Sequence, residues 1–289
     1  MKKFLLPVDF SEGSIVNCKY AFHLAGSEKT ELYLFHIYPD QLMVPDSSFP
    51  AGIDSDTFLN AEFINEMREQ AEKNLIQLAE QVKDLLKKEG ITNIRVKHQV
   101  TGGDPEWEIK DICERIKPNL IIMGTRGEGK KGFLEGSMAG KIMSKAPVPV
   151  IAVPELIKKV KLKNIMYATN FSKSDFQQIN YLVKLLKPLK NEFFIVHFLL
   201  NDKKERSKSA MDELKIALIN KNPDEKFHFF ILETDSKQEV LKEFTSKHSI
   251  HMIAFIAHKT NIFKNLFRNE IRKKDFFKLE LPMLALHED

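Results

Sequence analysis

The chain has 289 residues, 43% of them hydrophobic and 29% charged, a balance that can bury one large core or two smaller ones. Its 44 basic and 40 acidic residues leave a net charge of +4, too even a balance to mark a nucleic-acid surface. Only two cysteines occur, Cys18 and Cys113, without metal-ligand spacing, and both read as buried, reduced thiols.

The N-terminus, MKKFLLPVDF, opens like a secretory leader, but its apolar run stops at Asp9. No stretch reaches the ~18 apolar residues of a membrane span, so a cytoplasmic protein with no membrane partner is expected. In chain order, FLLPVD, LYLFHIY, IRVKHQV, NLIIMG and PVIAVP read as strands, with helices over 12–26, 58–89, 104–116 and 136–146 between them. Asp9 or Ser11 is the expected cap of the first helix, and Asp104, before Pro105, of the third. Such continuous apolar strands fit a parallel sheet covered on both faces, a doubly wound α/β unit. Ligands of these sheets bind beyond the carboxyl ends of the strands, where the strand order reverses. The long, proline-bearing segment 39–57 leaves the second strand and reads as a lid or an interdomain contact.

The fourth strand runs into GTRGEGKKGFLEGS, residues 124–137. Its first eight residues miss a P-loop by one position, because Lys131 stands where Ser or Thr would reach magnesium. The helix is also delayed by GFLE, whereas a P-loop helix starts at the lysine itself. The stretch fits a different phosphate cradle, with Gly124, Gly127 and Gly136 permitting close approach and Ser137 opening a helix. Lys130 and Lys131 read equally well as phosphate contacts or as a solvated turn. KIMSK at 141–145 lies inside a predicted helix and lacks the partner motif of a synthetase, so it carries no function.

The pattern then repeats. Asp9-Phe10-Ser11 meets Asn170-Phe171-Ser172 at an offset of 161, which also carries Tyr20 to Tyr181 and His36 to His197. Later the offset is 133, taking Gly124 to Ala257 and Pro149 to Pro282. Two homologous domains follow, 1–154 and 155–289, each alternating strand and helix, joined near the lysine-rich PELIKKVKLKN. The two histidines read as strand-end residues fixed by hydrogen bonds, since neither has a nucleophile or metal partner in sight. Ser11 and Ser172 read as helix-start residues. FKNLFRNEIRKKDFFK, basic and aromatic, reads as the helix before the last strand rather than a membrane-surface helix.

VDFS ending the first strand, LFHIY ending the second, and G-x-x-G followed by G-S before PVPVIAVP together resemble the universal stress protein family, here in a tandem form. The resemblance implies a parallel sheet of order 3-2-1-4-5 in each half and an adenine nucleotide, ATP, ADP or AMP, with or without magnesium. It implies that Pro7, Val8 and Asp9 lie beside adenine and ribose, that the backbone of Ile37 reads adenine, and that Met123, Gly124, Arg126, Gly127, Gly136, Ser137 and Met138 surround ribose and phosphates. It also implies that the final strands of the halves, VPVIAVP and LPMLALHE, meet across the junction as an internal pseudo-dimer. The family's ATP-binding branch carries G-x2-G-x9-G-[ST]; here eight residues, EGKKGFLE, separate Gly127 from Gly136, which leaves the nucleotide's identity open.

The second half replaces Gly124 by Ala257, Gly127 by Thr260 and Gly136-Ser137 by Asn269-Glu270, so its nucleotide motif reads as degenerate. The expected function is a stress-response sensor or switch that binds an adenine nucleotide in the first domain and signals to a protein partner. The alternative is a regulatory module acting through protein contacts without nucleotide. An enzyme built on the same cradle, a nucleotide hydrolase or nucleotidyl transferase, would need a general base that the sequence does not offer. Whether two chains associate further as a homodimer is not legible in the sequence.

Overall fold

The computed structural model describes residues 1–40, 55–125, 138–154, 157, 160–199, 204–233, 237–257 and 279–287. In the first half, β1 (Lys2–Pro7), α1 (Glu12–Ala25), β2 (Thr30–Tyr38), α2 (Ser55–Lys88), β3 (Ile94–Gly102), α3 (Pro105–Ile116), β4 (Leu120–Gly124), α4 (Met138–Lys145) and β5 (Val150–Val153) alternate as the apolar runs predict. The second half follows with β6 (Asn164–Ala168), α5 (Asp175–Leu186), β7 (Glu192–Leu199), α6 (Lys204–Lys221), β8 (Lys226–Glu233), α7 (Lys237–Lys247), β9 (Met252–Ala257) and β10 (Met283–His287).

All ten strands form one sheet, in the order β3-β2-β1-β4-β5-β10-β9-β6-β7-β8. Each half therefore has the order 3-2-1-4-5, with every pairing inside a half parallel. Even the register repeats: Lys3 pairs with Glu31, and Asn164, 161 residues on, pairs with Glu192. At the junction β5 and β10 pair antiparallel, with Leu284 opposite Ile151 and Ala285 opposite Val150. The carboxyl ends of the first half's strands thus point opposite to those of the second.

Successive strand residues face opposite sides. Phe4 and Leu6 pack with Cys18, Leu75 and Leu78 of α1 and α2, and Ile165 and Tyr167 continue that layer with Ile179, Leu182 and Met211 of α5 and α6. Leu5 and Ile121 face Ile109 and Ile142 of α3 and α4, and Met166 continues that layer with Leu241 and Phe244 of α7. Both cysteines are buried and free, and burial pushes each thiol up to about 12. Residues 41–54 of the long segment, the glycine stretch from 126 to 137, and FKNLFRNEIRKKDFFK fall outside the described residues.

Asp104 caps α3 as expected, accepting from the amides of Glu106 at 2.9 Å and Trp107 at 3.2 Å. The entry to α1 differs from a simple cap. Ser11 holds the cap position without a side-chain capping bond, and Asp9 acts from two residues upstream.

Candidate functional site

Pro7, Val8 and Asp9 leave the end of β1, Ile37 lies one residue before the end of β2, and Met123 and Gly124 close β4. Because β2, β1 and β4 are adjacent and parallel, these residues share one edge of the sheet, at its switch point. The edge is extended by the amide of Val8 donating to the Phe35 carbonyl at 2.9 Å and that of Thr125 to Val153 at 3.0 Å. Met138 is the first residue of α4 and packs half-buried against the second core layer. Arg126, Gly127, Gly136, Ser137, Lys130 and Lys131 lie outside the described residues.

Phe10 turns the chain from β1 into α1 through the left-handed region, at φ 63°. That turn brings Asp9 over the first turn of the helix. Its Oδ1 accepts from the Ser11 amide at 3.1 Å, the Ser11 hydroxyl at 2.6 Å and the Ser14 hydroxyl at 3.1 Å. The carboxylate also stabilises the positive helix end. Among the described residues Oδ2 takes no hydrogen bond, so it can accept from a ligand hydroxyl. A cavity of about 10 Å³, room for about one water, lies between the start of α1 (Ser11, Gly13, Asn17) and the ends of β4 and β5 (Gly124, Thr125, Pro154). A Cβ on Gly13 would come within 3.3 Å of the Ser11 hydroxyl, so the missing side chain keeps this wall open.

His36 is held rather than poised for catalysis. Its Nδ1 lies 2.8 Å from the Val8 carbonyl, which only accepts, so Nδ1 carries the proton. The ring packs on Phe10 at 4.2 Å between centroids. Burial pushes its pKa below the ordinary value, against the opposing pull of the Val8 hydrogen bond and the Asp9 charge. His197 repeats the arrangement, with Nδ1 2.9 Å from the Thr169 carbonyl and the ring 4.3 Å from Phe171, itself at φ 57°. Among the described residues no cluster of three or more potential metal ligands occurs.

The second half keeps this clamp but moves the carboxylate. Asn170 stands at the Asp9 position, and Asp175 stands at the Ser14 position. Asp175 is buried and accepts from the hydroxyls of Tyr167 at 2.7 Å and Thr169 at 2.6 Å and from the Ser172 amide at 2.8 Å. The Ser172 amide is the counterpart of the Ser11 amide that Asp9 receives. The sequence reading found the loss at Asn170 and missed the compensation at Asp175, although the same offset of 161 would have shown it. The left-handed turns at Phe10 and Phe171 have no signal in residue type, since phenylalanine seldom adopts positive φ.

Residues 1–154 match the model of the universal stress protein family. Universal stress protein MJ0531 of Methanocaldococcus jannaschii is 28% identical over 153 residues, covering 53% of this chain and 81% of that protein. Universal stress protein YxiE of Bacillus subtilis is 26% identical over 152 residues, covering 52% of this chain and 97% of that protein. The crystal structure of a universal stress protein from Archaeoglobus fulgidus superposes with a TM-score of 0.67 at 20% identity, covering 99% of this chain and 96% of that one, a likeness of fold. No helix among the described residues is long and apolar enough to cross a membrane. Its first 154 residues match the family model and its strand order is the one their motifs imply, and the chain belongs to the universal stress protein family.

Proposed function

We propose that this chain is a cytoplasmic sensor or switch whose first domain, residues 1–154, binds an adenine nucleotide, while residues 155–289 form a second domain that does not. The observation that carries this reading is Asp9: at the switch point, with Oδ1 committed to the start of α1, its Oδ2 takes no hydrogen bond among the described residues. The open oxygen would accept from the ribose hydroxyls. Pro7, Val8 and the backbone of Ile37 would flank the base. Met123, Gly124, Arg126, Gly127, Gly136, Ser137 and Met138 would surround ribose and phosphates, with or without magnesium. The asymmetry is supported by Asp175, whose two oxygens are already taken by Tyr167, Thr169 and Ser172. Nucleotide would then favour one conformation of the first domain, to be read by a partner.

Calorimetric titration of nucleotide-stripped protein with ATP and then AMP, with magnesium, tests the reading. One site per chain, lost in Gly127→Glu, is expected. Two sites would overturn the asymmetry, and steady ATP turnover would overturn the binding-only role. No binding of either nucleotide would leave a module that acts through protein contacts alone.

A further inference from the structure

The antiparallel β5–β10 junction sets the carboxyl ends of the second half's strands beside the amino ends of the first half's. A groove of about 1320 Å³ opens there, with walls from both halves. Helices α3 and α4 supply Trp107, Lys110 and Lys145; α5 and the end of α6 supply Gln177, Lys184, Lys221 and Asn222. Cross-half hydrogen bonds bind the walls: the Tyr181 hydroxyl donates to the Asn119 carbonyl at 2.8 Å, and His287 Nε2 lies 2.9 Å from the Met143 carbonyl.

Three properties of the groove point to one class of occupant. It is cationic: Lys145 is paired with Glu106 at 2.6 Å, but Lys184 and Lys221 form no ion pair among the described residues. It carries the chain's single tryptophan, Trp107, 70% exposed although the opposite face of α3 is buried through Ile109 and Ile112. It also presents side-chain amides. Gln177 is exposed, and Asn222, whose Nδ2 donates to Asn180 at 2.7 Å, keeps its Oδ1 without a donor among the described residues. Amides match the paired donor and acceptor of a peptide group, lysines match carboxylates, and an exposed indole matches an apolar anchor. The volume exceeds the ~300–1,000 Å³ usual for small-molecule pockets. A nucleic acid would meet the Glu106 carboxylate in the wall and find a surplus of only +4 over the whole chain.

We infer that this interdomain groove docks an extended acidic segment of a partner protein, with Lys184 and Lys221 receiving its carboxylates and Trp107 packing on its apolar side chains. The inference does not depend on nucleotide binding. The test titrates the full chain with a fluorescein-labelled octapeptide of alternating glutamate and alanine, with and without ATP. Peptide anisotropy gives the affinity, and in a parallel titration with unlabelled peptide Trp107 emission reports occupancy of the groove. Saturable binding with an emission shift is expected, together with at least a tenfold loss of affinity in Lys184→Glu/Lys221→Glu and no binding of the lysine–alanine counterpart. Both substitutions are at exposed helix positions, and circular dichroism checks that the variant folds. An unchanged Trp107 emission, or equal affinity in the double variant, would overturn the inference. So would equally effective displacement by inorganic tripolyphosphate, tighter binding of oligo-dT, or self-association of the chain that the peptide reverses.

Discussion

The Ser14 hydroxyl donates to Asp9 Oδ1 across 3.1 Å in the first half, and in the second half the Ser14 position is itself an aspartate, Asp175. One carboxylate near the helix entry is retained in both halves, but it reaches the same backbone amide from opposite sides. From Asp9 it leaves Oδ2 without a hydrogen bond among the described residues; from Asp175 both oxygens are spent inside the fold.

Replacing Asp9 by Asn separates the two roles of that side chain. The amide oxygen can still accept from Ser11 and Ser14, so unfolding in urea should change by less than about 1 kcal/mol. The affinity for nucleotide in the titration above should fall about tenfold, equivalent to about 1.4 kcal/mol, because ribose would lose an ionised acceptor. A larger loss of stability than of affinity would show that Asp9 serves the fold alone.

Asp175→Ala should be costly for a different reason. It leaves the buried hydroxyls of Tyr167 and Thr169 and the Ser172 amide without their acceptor. A donor left without an acceptor costs about 1–3 kcal/mol, and with the Thr169 hydroxyl and the Ser172 amide both affected urea unfolding should show a loss of at least about 2 kcal/mol. A loss under about 1 kcal/mol would mean that water replaces the carboxylate.

How far the residues announce this arrangement depends on the kind of information involved. Parallel pairing was legible because continuous apolar runs carry it, whereas the order 3-2-1-4-5 and the β5–β10 contact were implied only by the family resemblance of the motifs. His36 and His197 were legible as fixed strand-end residues, because recurrence without a reactive neighbour is a pattern of positions. Asp175 was not, since it stands at the counterpart of Ser14, five residues beyond the Asn170 that matches Asp9. The use of Oδ1 alone at Asp9 was not legible either, since it depends on the left-handed turn at Phe10, whose ring packs on His36.

Stability should fall as the solution is acidified below neutrality. Burial lowers the pKa of His36 in the folded state, and that of His248 and His251 as well. Each contribution is therefore complete above the unfolded value of about 6.5. It is lost as the pH falls from there through the lower folded value, because the unfolded chain takes up protons first. Urea midpoints between pH 7.5 and 5 should decline, and His36→Gln should flatten the decline. An unaltered slope in that variant would remove His36 from the account.

Leu284, fully buried on β10 opposite Ile151, tests how tightly the halves are joined. Leu284→Ala should cost about 2–5 kcal/mol through the lost contacts and the cavity left behind. If the ten-stranded sheet unfolds as one unit, circular dichroism and the emission of Trp107, which is in the first half, should shift together. Two separated transitions would show that the halves melt independently.

The antiparallel seam also frees the pair from the law of mass action. Subunits held only by contact separate on dilution, whereas β5 and β10 belong to one polypeptide and face each other at a local concentration set by the connecting chain. The second half therefore remains in place however scarce the protein becomes. Its contribution to the sheet does not require that it keep a ligand, and the Asp175 carboxylate, with both oxygens bonded inside the fold, serves that contribution.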